Sequence, residues 1–344
     1  MRTNPERAVP APSTARRVGR IFARVGILFS VFLLALVLSA YGALWIICNG
    51  PSPGARDLFV MSCMETSFAR YFPPLVLSAE TIADIQRRNT VIATGDVTDT
   101  DADFSKPAGD EQNKEQPDIE IVDVKGATWV GRMMIVKDPS RIVVGTPPAY
   151  GEEAEGVKLA KMIEDAGAVG GINAGGFSDE GGVGNGGIPL GVVIKGGKLL
   201  YGNPNAKNVI VGFDDKNVLR VGSMTASEAL EQGMRDAVYF EPPLVVNGKA
   251  AEIKGTGGGY NPRTAIGQRE DGSVLLLVID GRQPNSLGAT YKDLVDVMLE
   301  HGAVNAGNLD GGSSSMLYYG GELLSVCSSL YGPRKIATSF LVMP

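Results

Sequence analysis

The chain has 344 residues, 44% of them hydrophobic, with 45 glycines and a net charge of −6. That is enough material for a sizeable core in one large domain or two small ones. Residues 1–24 hold six arginines and one acid, a net +5, which leaves −11 on the remainder. An acidic body with no basic stripe excludes nucleic acid as a partner, because it cannot replace phosphate counterions.

Val25–Cys48 contains no charged residue. As a helix, a stretch of that length spans about 36 Å, more than the hydrocarbon core of about 30 Å. The arginines before it predict a cytoplasmic N-terminus, so the protein is expected to cross the cell membrane once and hold its body outside. A cleaved signal peptide is the rival, but its apolar region is shorter, about 7–15 residues. Arg56–Phe72 reads as an extended segment that Pro73-Pro74 breaks. Ser78 is the expected N-cap of a short helix to Arg88, with Ile82 and Ile85 on one face. Gly95–Pro117 holds seven acids and two lysines and reads as a solvated linker or long loop. The expected organisation is therefore a basic tail (1–24), an anchor (25–48), a membrane-proximal extension (49–94), an acidic linker (95–117) and a main domain (118–344).

Strands dominate from Ile119. Ile119–Val124, Thr128–Val136 and Arg141–Gly145 are expected to form a meander. Glu152–Ala166 is predicted as an amphipathic helix that Gly167 stops. Hairpin turns are signalled at Gly196-Gly197, Asp214-Asp215, Asn247-Gly248 and Asp271-Gly272. Thr225 with Glu228 forms a capping box for a helix to about Met234, and a second helix covers Thr290–His301. Short helices among many strands predict an α+β fold with a mixed, largely antiparallel sheet. Of the three cysteines, Cys63 and Cys327 lie in the exported part, too few for a disulfide framework. The sole histidine, His301, closes a helix and fits its dipole; without a second histidine, a zinc site of the usual His type is excluded.

Two apolar strands end in acids. Val274–Ile279 runs into Asp280-Gly281-Arg282, and Ala303–Leu309 runs into Asp310-Gly311-Gly312 with three serines behind. Strand ends followed by glycine let a bound ligand approach the backbone closely. A third stretch, Gly167–Gly191, has 11 glycines in 25 residues. Within it, a strand end at Gly171–Ser178 is followed by the loop Asp179–Pro189, which lacks the Gly-Lys-Ser/Thr of a nucleotide P-loop and is expected to be a mobile lid over a site.

Four co-linear segments, Ile172-Asn-Ala-Gly-Gly-Phe177, Asn261-Pro-Arg-Thr-Ala-Ile-Gly267, Val278-Ile-Asp-Gly-Arg282 and Asn308-Leu-Asp-Gly-Gly-Ser-Ser314, together resemble the phosphodiester glycosidase family. That family includes the enzyme that uncovers mannose 6-phosphate and bacterial proteins associated with exopolysaccharide. The chain departs from its usual pattern at Ala174 and Ser313, where the family has glycine. The resemblance implies hydrolysis of a sugar 1-phosphate diester, in a cell-wall or exopolysaccharide glycan, with residues 118–344 as the glycosidase-like domain. It assigns Asp280, Asp310, Arg263 and Arg282 to catalysis. Both arginines are expected to clamp phosphate, and either aspartate to stabilise an oxocarbenium-like transition state, activate water or act as nucleophile. Asn173, Gly175, Gly176, Thr264, Asn308, Gly311, Gly312 and Ser314 are the expected substrate-binding residues. No cofactor is expected; calcium or magnesium on Asp280, Asp310 and Asn308, making a metal-dependent phosphodiesterase, is one alternative. A glycan-binding module without turnover is the other.

Overall fold

The computed structural model describes residues 14–105, 118–179, 184–329 and 331–344. The basic tail up to residue 13, residues 106–117 of the acidic stretch and residues 180–183 of the glycine-rich loop lie outside them. The architecture is α+β, with every strand pairing antiparallel among the described residues.

Helix α1 covers Thr14–Asn49, and its stretch Val18–Asn49 is long and apolar enough to cross a membrane. Helix α2 follows at once, Pro53–Met64, where an extended segment was expected. Ser52 caps it by accepting from the Ala55 amide, and Pro53 at the first position costs nothing because that N–H has no helical partner. Helix α3, Ala79–Arg88, has Ser78 as its cap and buries Ile82 and Ile85, as the sequence predicts. Val60, Met61, Ile82 and Ile85 form a small core between α2 and α3.

The acidic stretch is docked where it is described. Thr98 is buried, its amide donating to Val221 O and its hydroxyl to Asn305 Oδ1, and the Phe104 amide donates to Lys216 O. It runs over the sheet as a long loop.

A seven-stranded sheet carries the site. Its strands run in the order 249–250, 243–246, 303–309, 263–269, 274–279, 130–136 and 119–125. The expected third strand of the meander, Ile142–Gly145, leaves this sheet and pairs with Ser339–Val342 in a five-stranded one, next to Gly170–Asn173. Asp138-Pro139 begins a short 3₁₀ turn that makes this change of sheet. A second five-stranded sheet holds 219–225, 207–214, 234–239, 193–195 and 198–201. Helix α4 spans only Leu159–Ala166, closed by Gly167 at φ 65°. Helices α5 (Ala226–Glu231) and α6 (Tyr291–Glu300) both start in capping boxes, at Thr225 and Thr290. The four predicted hairpin turns all join paired strands.

Strand Val274–Ile279 is buried on both faces, which is why it reads as an unbroken apolar run. Val274, Leu276 and Val278 enter the core between the sheets, while Leu275, Leu277 and Ile279 pack with Leu294, Val297 and Met298 of α6. Truncating fully buried Leu277 to alanine is expected to cost about 2–5 kcal/mol. Denaturant unfolding of the full chain measures it, and a loss under about 1 kcal/mol would mean that this face is loosely packed.

Candidate functional site

The ends of three central strands meet at one cleft of about 1160 Å³. Strand 303–309 delivers Asn308 and Asp310, strand 263–269 begins at Arg263, and strand 170–173 ends at Asn173 beneath them. Asp310 sits on the turn after its strand, its amide donating to Ala174 O at 2.8 Å. Asn173 Nδ2 donates to the Asp310 carbonyl at 2.5 Å, and Asn173 Oδ1 accepts from the Thr264 hydroxyl and the Met316 amide, each at 3.0 Å. Thr264 also shares a hydrogen bond with Ser315, 3.1 Å away. Asn173 and Thr264 therefore lie under the cleft, fully engaged, and hold the Asp310 turn in place.

Asp310 keeps part of its surface open to the cleft while protein surrounds it otherwise. Burial pushes its carboxyl up to about 6; the Ser314 hydroxyl and Arg334 pull it down, and Asp179 adds to the rise. A carboxyl that titrates there suits proton transfer near neutral pH. Asn308 donates to Glu241 O at 2.6 Å, and its buried Oδ1 has no partner among the described residues. Gly311 and Gly312 line the floor; a Cβ on Gly311 would meet Pro262 O at 2.8 Å, so the turn tolerates no side chain.

Asp280 does not reach the cleft. Its Oδ1 accepts from the Val326 amide at 2.8 Å, and its carbonyl accepts from the Ser286 hydroxyl at 2.6 Å. It pins a loop on another side of the sheet. Gly175 and Gly176 are likewise outside the lining: the Gly175 amide donates to the Thr338 hydroxyl, and Gly176 leaves space for the Phe240 ring, which does line the cleft.

The arginines divide. Arg263 is buried and committed: Nε donates to Ala289 O at 3.1 Å, Nη2 to Gly259 O at 2.8 Å and to Glu65 Oε2 at 2.7 Å. Its guanidinium lies 4.0 Å from the centre of the Tyr291 ring. Arg282, at φ 59°, uses only Nη2 among the described residues, towards Asn261 Oδ1 at 3.1 Å and Thr66 Oγ1 at 3.4 Å. Burial and the neighbouring Arg263 act against its charge, opposed by Glu65. A third cation, Arg334, bonds Asp179 at 2.8 Å and Ser313 at 3.0 Å beside Phe177. Among the described residues, no group of three or more His, Cys, Asp or Glu is placed to hold a metal ion.

Against known proteins, the phosphodiester glycosidase family model matches residues 166–343, over half of the chain. The chain belongs to the phosphodiester glycosidase family. It is 29% identical to bovine N-acetylglucosamine-1-phosphodiester alpha-N-acetylglucosaminidase over 177 residues, 43% of this chain and 33% of that one. It is 32% identical over 165 residues to the SPbeta prophage-derived uncharacterized protein YomE of Bacillus subtilis, covering 45% of this chain and 24% of the relative. The chain thus spans a quarter to a third of the length of these relatives. The catalytic domain of the zebrafish N-acetylglucosamine-1-phosphodiester alpha-N-acetylglucosaminidase, auto-inhibited by its pro-peptide, shares the fold, with a TM-score of 0.56 and 22% identity. That match covers 67% of this chain and 85% of that domain.

Three cleft residues carry no local signal. Glu65 comes from just past α2, 198 positions from the arginine it pairs with. Arg334 and Tyr291 lie outside the four segments that carry the resemblance. Glu65 is held by three donors, the Gly259 amide and Asn261 Nδ2 (each 2.9 Å) and Arg263, while Ser62 Oγ accepts from the Tyr260 amide at 2.8 Å. The extension is built into the wall of the cleft.

Proposed function

We propose that this protein is a membrane-anchored phosphodiester glycosidase that hydrolyses the anomeric C–O bond of a sugar 1-phosphate diester. Its substrate is a glycan outside the cell membrane, in the cell wall or exopolysaccharide. The observation that carries this reading is the largely buried Asp310, with its carboxyl near 6, lining with arginines a cleft large enough for a sugar phosphate. Phosphate departs readily from an anomeric carbon, so the site has more use for cations on the leaving group than for a strong acid. Arg282 supplies N–H groups, unused among the described residues, for its oxygens, with Arg334 beside Asp310. Ionised Asp310 then activates water or attacks the anomeric carbon. Asn308 and the glycine turn bind sugar hydroxyls. Helix α1 is the anchor, with its N-terminus cytoplasmic and the cleft outside.

Hydrolysis in oxygen-18 water tests the reaction: the label is expected in the released sugar, and label in the phosphate would mean P–O cleavage instead. The pH profile tests the carboxylate. Because Asp310 works ionised, kcat/KM is expected to fall tenfold per unit as pH drops below about 6. Arg334→Gln removes a cation that lowers this carboxyl, so the acid limb should move to higher pH. A limb unmoved in that variant would show that another group sets the profile.

A further inference from the structure

Between the anchor and the cleft lies an exposed apolar ridge that the catalytic reading does not use. Phe68, Tyr71, Phe72 and Leu75 fall within eight residues and are 75%, 61%, 38% and 60% exposed. Phe68 and Phe72 meet edge to face, 5.4 Å apart, and exposed Arg70 lies over the Tyr71 ring. Aromatic side chains with a cation among them match the membrane–water interface, where rings sit at headgroup level and a guanidinium meets lipid phosphate. Water alone gives no reason to expose four large apolar side chains so close together.

The position of the ridge names its occupant. Helix α1 ends at Asn49 and α2 begins at Pro53, with Cys48 buried and α1 packed on α2. No long tether separates the span from the domain. Glu65 follows Asn49 by 16 residues, so even continuous helix would carry it only about 24 Å from the end of the span. Glu65, Thr66, Ser67, Phe68 and Tyr71 then line the cleft itself. One segment therefore borders both the bilayer and the site.

We propose that Phe68–Leu75 rests in the headgroup layer and that the cleft takes a sugar phosphodiester whose second ester is carried by a membrane lipid. This rests on the glycosidase reading and specifies its substrate: the glycan phosphodiester it meets is still attached to lipid. The sugar and phosphate enter from the bilayer surface past Phe68 and Tyr71, and the lipid chain stays in the membrane. Water supplies hydroxyl to the anomeric carbon, its proton passes to Asp310, the C–O bond breaks, and the bonding pair leaves with the lipid phosphate. The products are a free sugar and a lipid phosphomonoester, with no oxidant or second reactant.

The test compares two diesters with the full chain reconstituted in vesicles of mixed zwitterionic and anionic phospholipid. One is a sugar 1-phosphate ester of a long polyprenol in the same vesicles; the other is the water-soluble methyl ester of the same sugar 1-phosphate. We expect kcat/KM at least tenfold higher for the lipid ester. Phe72 and Leu75 belong to the ridge but do not line the cleft. Replacing them together, Phe72→Asp with Leu75→Asp, should erase that preference and leave the soluble ester within twofold, which also shows the variant is folded. Equal use of both esters by the wild type, or an undiminished preference in the double variant, overturns the lipid assignment while leaving the glycosidase reading intact. Hydrolysis of neither ester overturns both.

Discussion

Asp310→Asn is expected to lower turnover of a sugar 1-phosphate diester by about 10³-fold or more, about 4 kcal/mol of barrier. The amide keeps the size of the side chain and can still meet Ser314, so the loss reads the carboxylate itself. Asp280→Asn makes the contrast. Its carboxylate faces the Val326 amide, outside the cleft. That change is expected to keep activity within about tenfold, near 1.4 kcal/mol, and to act through the loop it pins. Single-turnover rates on folded variants decide it. Equal collapse of both would restore Asp280 to the chemistry, and near-normal turnover in Asp310→Asn would remove Asp310.

Both aspartates follow apolar strands and precede glycine, so sequence treats them alike. The difference lies in what covers each strand end. By parity, Asp280 shares a face with Val278 and Leu276, the face against which Leu324 packs, so the loop through Val326 takes its carboxylate. Parity is legible in sequence; which face holds the site is not. The capping box at Thr225, the hairpin turns and the long apolar helix were legible because each is a local pattern with one physical solution. Helix α2 was missed because the short apolar run Leu58–Met61 fits strand or helix equally. Glu65 and Arg334 left no trace because their partners are remote, and a lone acid or arginine in a loop is usually solvated. Asn173 and Thr264 were expected to bind substrate through family motifs, and they lie beneath the cleft lining. Their work, in the structure, is to hold the Asp310 turn.

Arg263→Lys should cost about 10²-fold in kcat/KM, close to 3 kcal/mol, although the charge is kept. The guanidinium makes directed bonds to Ala289 O, Gly259 O and Glu65 while stacking on Tyr291, and a lysine ammonium reproduces neither the fork nor the stack. Glu65→Gln tests the other half of the pair. An inhibitory Glu65 would give higher activity when neutralised. Here Glu65 is gripped by three donors, and its removal strands a buried arginine charge, a change that is strongly destabilising when the pair is deep. Glu65 is itself about a quarter exposed, so water softens the loss. Activity is expected to fall about tenfold, with KM for the diester rising as the Asn261–Arg282 edge loosens. Chelation by EDTA is expected to leave the wild type active, since in the proposed reaction Arg282 and Arg334 meet the anion directly. A rate gain in Glu65→Gln would make the extension an inhibitor instead of a wall, and loss on chelation restored by calcium or magnesium would put a cation on Asp310 and Asn308.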